Sequence, residues 1–399
     1  MFEHVAPYAG DPIFRIAAQY QADQRENKVN LTIGLYFEDD GSVPLLACTQ
    51  TAEQRWASQK QPRIYTPMEG LASYRNAVQR LVFGAEHEAY QSQRIATIQT
   101  LGGTGALKVG GDLLHEAYPD SQMWISDPAW DNHHAIFGGC GIKTNKYRYF
   151  DATTQAVDFE GMMDDLSQLP AHSFVLLHPC CHNPTGADLS PAQWQALITL
   201  IKSHQLIPFL DMAYQGFGQG LDEDAYAVRA MAEAGVHFLV ANSFSKNFSY
   251  YAERCGALSI VCADKTEAEL TIGKLNAWVR KNYSNPPIHG AAAIALVLTD
   301  PELFQSWVND VDAMRARIHA MRHAVHQHLA RLAPQYDADY MIKQQGMFSY
   351  TGLSLEQILR LREEFGVYML DSGRISVPGL TTKNVAYYAQ SLAAVVNPD

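Results

Sequence analysis

The chain has 399 residues, long enough for two or so domains with sizeable cores, and its 47% hydrophobic and 18% charged content is that of a folded globular protein. A formal net charge of -12, with no dense local cluster of Lys and Arg, argues against nucleic-acid binding, which needs a basic face. Six cysteines without paired CxxC spacing read as reduced thiols, and the start MFEHVAPYAGDP lacks the basic and apolar regions of a signal peptide, so a cytoplasmic protein is expected.

In chain order, the middle of the sequence alternates short apolar runs with amphipathic stretches. MWIS (123–126), FVLLH (174–178), IPFLD (207–211), FLVAN (238–242) and ALSIVC (257–262) predict buried strands. PAQWQALITLIKSH (191–204) is a helical pattern with Pro191 well placed near its start. This alternation predicts an α/β domain with a mostly parallel sheet flanked by helices. Residues 301–333 then form a long helical pattern without an internal glycine or proline. MFSYTGL (347–353), a helix over 354–365 and a final helix near 382–396 complete a smaller α+β lobe. The long helix would bridge the lobes and leave a cleft between them, where ligands commonly bind. No stretch approaches the roughly 18 apolar residues of a membrane span.

Five motifs sit where strands end. LGGTGAL (101–107) precedes a helical pattern, so its backbone N–H groups could approach an anion, although a plain turn into a helix fits as well. HPCCHNPTGADL (178–189) turns sharply after a strand and would project Asn183; with no second ligand pair at useful spacing, no metal is expected from His182 and its cysteines. In FLDMAYQGF (209–217) Asp211 ends an apolar strand, where a carboxylate needs a cation, a protonated ring nitrogen or a helix to cap; Tyr214 follows three residues on. NSFSKNF (242–248) sets Lys246 between the hydroxyls Ser243 and Ser245 and the rings Phe244 and Phe248, with Arg254 eight residues later. Burial would lower the lysine's pKa and make it a nucleophile. SGRISV (372–377) places Arg374 in a strand of the smaller lobe, as a surface ion-pair partner or a carboxylate anchor. Together, a phosphate cradle, an aspartate for a ring nitrogen, a lysine amine and a carboxylate-binding arginine are what pyridoxal phosphate chemistry on amino acids requires.

With GGTGAL, SDPAW, CCHNPTG, DMAYQGF, NSFSKNF and NYSNPP in order, from DPIF (11–14) to LREEFGVY (361–368) and SGR (372–374), the chain resembles the class I aminotransferases of the aspartate and aromatic group. The resemblance implies a fold-type I pyridoxal 5'-phosphate transferase with an N-terminal arm (1–11), a small domain (12–45 and 312–399) and a large cofactor-binding domain (46–311). It implies that Lys246 holds the cofactor as an internal aldimine and shuttles the substrate proton, that Asp211 pairs with the ring nitrogen with His133 behind it, and that Tyr214 and Asn183 bond the phenolic oxygen. Trp130 would stack on the ring, and Gly102, Gly103, Thr104, Ser243, Ser245 and Arg254 would hold the phosphate. Arg374, helped by Asn183 and the backbone at Gly34, would bind the α-carboxylate. Tyr65 and Arg280 would reach the site of the neighbouring subunit, as a phosphate contact and a side-chain carboxylate clamp, so a homodimer with shared sites is implied.

The resemblance also places Leu35, Phe37, Val43 and Ile64 around the substrate side chain, where apolar residues should favour an aromatic ring, each buried methylene being worth ~0.8 kcal/mol. GLYFEDDG (34–41), TPMEGL (66–71) and EDAYAVRA (223–230) add likeness to bacterial aromatic (tyrosine) aminotransferases, whereas Thr104 and Asn285 are more typical of aspartate enzymes. The expectation is a transaminase between aromatic amino acids, with aspartate retained, and 2-oxoglutarate; the alternative is an aspartate aminotransferase with minor aromatic activity. A pyridoxal phosphate lyase would not need both Arg280 and Arg374. A transcription regulator would need a DNA-binding extension, and a helical pattern begins within the first twenty residues.

Overall fold

Seven strands form one sheet in a computed structural model that describes residues 2–5, 10 and 12–397. They are β1 (Ile95–Leu101), β2 (Met123–Asp127), β3 (Thr144–Arg148), β4 (Phe174–Leu177), β5 (Ile207–Met212), β6 (Phe238–Ser243) and β7 (Cys255–Val261). Their order is β1-β7-β6-β5-β4-β2-β3. Only the pairings of β7, with β1 and with β6, are antiparallel; the rest are parallel, as the apolar runs predicted. Side chains alternate between two cores: Phe174, Leu176 and Phe209 enter one, while Val175, Leu177 and Leu210 enter the other. A sheet buried on both faces explains why these strands read as continuous apolar runs.

Two sheet strands have no counterpart among the expected ones. Edge strand β3, TNKYR, buries only Tyr147, so it carries no apolar run. β1, IATIQTL, is almost wholly buried but holds polar side chains that find partners: Thr97 Oγ1 lies 2.9 Å from Ser259 Oγ, and Gln99 Nε2 donates to the Pro287 carbonyl at 2.6 Å. Satisfied polar groups can be buried without cost to the fold, but they hide a strand from hydropathy.

The expected helices form close to their predicted limits. Pro191–Ser203 begins with a reciprocal Ser190–Gln193 capping box, and Leu355–Phe365 with the same arrangement from Ser354 and Gln357. The long helix runs Pro301–Leu332, with Asp300 accepting hydrogen bonds from the N–H groups of Glu302 and Leu303. Its buried stripe includes Trp307, Val311, Met314, Ile318 and Val325, and the helix packs against helices Ala47–Ser58 and His289–Thr299 and the terminal helix Val385–Val396. Short strand pairs complete the remainder: Val29–Asn30 lies parallel to Val367–Tyr368, and Phe348–Tyr350 antiparallel to Arg374–Ser376. The N-terminal arm expected over 1–11 falls largely outside the described residues, which omit 1, 6–9 and 11. All six cysteines are buried free thiols. Among the described residues no helix is long and apolar enough to cross a membrane.

Candidate active site

A cavity of about 270 Å³ opens at the carboxyl ends of the parallel strands. Gly103 and Thr104 at the start of helix Gly102–Ala117, Asn183 after β4, Asp211 near the end of β5 and Tyr214 just beyond it, Ser243 at the end of β6, and Ser245 and Lys246 just beyond it all line it. Gly34, Trp130, Arg254 and Arg374 close the remaining walls. The fold therefore gathers in one place most residues that the sequence singled out separately.

The local reasons are legible. Phe248 is buried and stacks on Trp307 of the long helix at 4.7 Å, and the Trp307 indole N–H donates to the Asn247 carbonyl at 2.7 Å. Phe244 packs edge-on to Tyr74 and to Phe248. The two rings thus anchor the loop on either side of Lys246 and leave its side chain directed at the cavity. Its Nζ sits 4.7 Å from the centre of the Tyr214 ring. Desolvation lowers its pKa to about 8, with Asp211 pulling the other way and Arg254 and Arg374 adding to the drop.

Asp211 is buried, and burial works to raise its pKa, but the hydrogen bond from His133 and neighbouring positive charge outweigh it and hold the carboxyl below its ordinary range. The His133 Nε2 to Asp211 Oδ2 distance is 2.7 Å, and the histidine is wholly enclosed. Burial pushes the Tyr214 hydroxyl well up, so it stays protonated and can donate.

Another part of the cavity wall forms a positive cradle. Arg254 donates from Nη1 to Ser245 Oγ at 3.2 Å and to the Tyr251 carbonyl at 3.0 Å, and Ser243 Oγ accepts from the Ser245 N–H at 3.3 Å. Gly102 has φ +68°, and a Cβ there would fall 2.5 Å from Arg254 Nη2. Only glycine lets the arginine lie across the helix start, where unpaired N–H groups and the helix dipole favour an anion. Arg374 donates to the Thr32 carbonyl at 2.7 Å and to Asn183 Oδ1 at 3.4 Å, and its guanidinium lies 4.3 Å from the centre of the Phe348 ring. The cavity wall thus carries a charged carboxylate, a cationic anion cradle, an easily deprotonated amine and a second arginine. This donor set fits an aromatic cofactor bearing a basic ring nitrogen and a phosphate, with room for a carboxylate substrate.

Other expected residues do not reach this cavity within the same chain. Tyr65 and Ile64 are 90% and 78% exposed and line a separate surface pocket with Arg63, Ser284 and Asn285. Arg280 is exposed and donates to Ser284 Oγ at 2.5 Å. Val43 is exposed, and Leu35 and Phe37 are half-buried beside Tyr36 without entering the cavity wall. Conversely, Ile13, Leu107, His178, Ala213, Tyr251 and Phe348 line the cavity without having been expected there. His178 begins the HPCCHNPTG motif, so its position next to Asn183 was a usable signal; it is buried, and neither ring nitrogen has a partner among the described residues. His182, considered as a metal ligand, is instead accounted for by Ser126 at 2.9 Å and Thr185 at 2.8 Å.

Residues 26–392 match the family described as aminotransferase class I and II. A tyrosine aminotransferase of Klebsiella pneumoniae is 53% identical over 99% of this chain and 100% of its own length. The crystal structure of an aromatic-amino-acid aminotransferase from Burkholderia pseudomallei, covalently bound to pyridoxal phosphate, superposes with a TM-score of 0.98 at 44% identity, covering 100% of both chains. A psychrophilic aromatic amino acids aminotransferase from Psychrobacter sp. B6, cocrystallised with aspartic acid, does so with a TM-score of 0.98 at 45% identity, again over 100% of both chains.

Proposed function

The chain belongs to the class I and II aminotransferases and is a transaminase, and from that premise we propose that it uses pyridoxal 5'-phosphate to exchange amino groups between aromatic amino acids, with aspartate retained, and 2-oxoglutarate. The observation that carries this reading is the convergence of Lys246, Asp211, Arg254 and Arg374 on one cavity. When bound, the cofactor supplies the electron sink that makes the substrate α-C–H acidic. Lys246 is the covalent attachment point and, once free, takes the proton from the α-carbon and returns it. Asp211, held anionic by His133, keeps a proton on the ring nitrogen, and Tyr214 and Asn183 hydrogen-bond the ring oxygen. Gly102, Gly103, Thr104, Ser243, Ser245 and Arg254 hold the phosphate, and Trp130 covers the ring. Arg374, with Asn183 and the Gly34 backbone, binds the substrate α-carboxylate.

In this reading the enzyme is a cytoplasmic homodimer. Tyr65 and Arg280, exposed on the single chain, serve the partner's cavity, with Leu35, Phe37, Val43 and Ile64 forming the apolar side of the shared pocket. The arm (1–11), small domain (12–45 and 312–399) and large domain (46–311) follow the family's division. The aromatic preference is supported by the tyrosine aminotransferase relative, and retention of aspartate by the aspartic-acid cocrystal of an aromatic enzyme of the same fold. Thr104 and Asn285 favour a second reading in which aspartate is the main substrate. Mixing the cofactor-loaded enzyme with L-tyrosine or L-aspartate, without a keto acid, and following the cofactor's absorbance separates the two. Conversion by tyrosine at an efficiency equal to or above that of aspartate supports the proposal; conversion by aspartate alone supports the second reading.

A further inference from the structure

Arg322 lies on the long helix Pro301–Leu332 and is 2% exposed; the Asp188 carboxylate attracts it electrostatically without forming an ion pair with it among the described residues. Its guanidinium faces backbone instead. Nη1 donates to the Met341 carbonyl at 3.0 Å and sits 3.4 Å from Ser349 Oγ; Nη2 donates to the carbonyls of Gly346 at 2.9 Å and Phe348 at 2.5 Å. A planar fork can hold several carbonyls in fixed relative positions, which a point-charge ammonium cannot. Burying a charge for the sake of three carbonyls is costly, and that cost needs a reason beyond filling space.

The segment so held ends in Phe348, whose ring forms part of the active-site cavity. That ring carries the Arg374 guanidinium on its face at 4.3 Å and meets Tyr214 edge-on at 5.7 Å. A Cβ on Gly34 would lie 2.9 Å from its Cζ. The same segment is docked from the other side by the Asn183 loop: the Gln345 N–H donates to the Gly186 carbonyl at 2.6 Å, and a Cβ on Gly186 would come 2.5 Å from the Phe348 carbonyl oxygen. Phe348 therefore touches three parts of the substrate side of the site, and Arg322 adds a charged donor to the strand pairing with Arg374–Ser376 that holds its backbone.

We propose that Arg322 is a positioning residue for the substrate carboxylate pocket, acting through the Phe348 carbonyl to set the aromatic floor under Arg374. The inference rests on the reading of Arg374 as the α-carboxylate anchor. Because the carboxylate is bound both before and during the reaction, misplacing its anchor weakens binding more than turnover.

The test uses the cofactor-loaded enzyme with L-tyrosine and L-aspartate as substrates, comparing Arg322→Lys, Phe348→Leu, their double variant, Arg374→Lys and Val325→Ala. Val325 is buried on the same helix and reports generic loosening. Arg322→Lys and Phe348→Leu should each raise KM for both amino acids about three- to tenfold, with kcat within about twofold and cofactor affinity unchanged. The double variant should be little worse than the worse single one, since both act on one contact. Val325→Ala should lower Tm without moving KM. Arg374→Lys should raise KM more strongly than any of them; an unchanged KM there sinks the carboxylate reading itself. If Arg374→Lys behaves as expected but either single variant leaves KM unmoved, the two combine additively, or Val325→Ala reproduces the change, Arg322 is only a structural residue. Should Arg322→Lys fail to fold, an unchanged KM in Phe348→Leu is enough to overturn the proposal.

Discussion

The lysine on which the site turns is defined by two opposed requirements: it must be buried enough to lose its proton and open enough to meet a substrate. Its depressed pKa of about 8 sets a pH dependence with a definite sign. Below that pH the amine is protonated and cannot attack an aldehyde; above it the free base dominates. The rate at which cofactor-free enzyme takes up pyridoxal phosphate should therefore rise with pH through about 8, and a rise centred near the ordinary lysine value of roughly 10.4 would show that burial is not what tunes it. Asp211→Asn removes the charge that His133 holds in place, and should lower kcat by about 10²–10³ while the cofactor still binds; near-normal turnover would remove Asp211 from the chemistry. Lys246, Asp211 and Asn183 stood out in the sequence because each is a costly or turn-forming residue at or shortly after an apolar run, and the fold brings them to one cavity. Tyr251, Phe348 and Ile13 could not, because an aromatic or aliphatic residue in a loop has the same sequence signature whether it meets a ligand or a neighbour.

At the scale of elements, the cavity exists because parallel strands end together and helix Gly102–Ala117 starts there. The junction at Gly102 carries the tightest constraint, a left-handed backbone and an arginine across the missing side chain. Gly102→Ala should displace Arg254 and weaken cofactor affinity about tenfold, or ~1.4 kcal/mol, measured by titrating cofactor-free enzyme; unchanged affinity would mean that Arg254 does not serve the phosphate. The parallel strands β2, β4, β5 and β6 and the long helix were legible because burial on two faces and helical periodicity leave strong patterns. β1 and β3 were not: one hides its burial behind hydrogen-bonded Thr and Gln side chains, the other lies at the sheet's edge with a single buried residue.

At the scale of the whole molecule, one chain builds a cavity that lacks several residues the family resemblance assigns to it. Arg280 and Tyr65 are exposed away from the cavity, Arg280 donating to Ser284 Oγ and Tyr65 lining a separate surface pocket. If they serve a partner, subunits with complementary defects should rescue one another. Homodimers of Lys246→Ala and of Arg280→Asp should both be poor with aspartate, whereas mixed dimers should recover aspartate turnover from the one site that pairs an intact Lys246 with the other chain's Arg280. Absence of recovery would place Arg280 in its own chain's site or outside the chemistry. That expectation comes only from family likeness, since periodicity and burial describe one chain and carry no record of a neighbour. Underlying every scale is the claim that this cavity holds the cofactor on Lys246. Reducing the cofactor-loaded enzyme with borohydride and mapping the modified peptide by mass spectrometry tests it most directly: the account predicts the adduct on Lys246, and an adduct on any other lysine, or none, would contradict it.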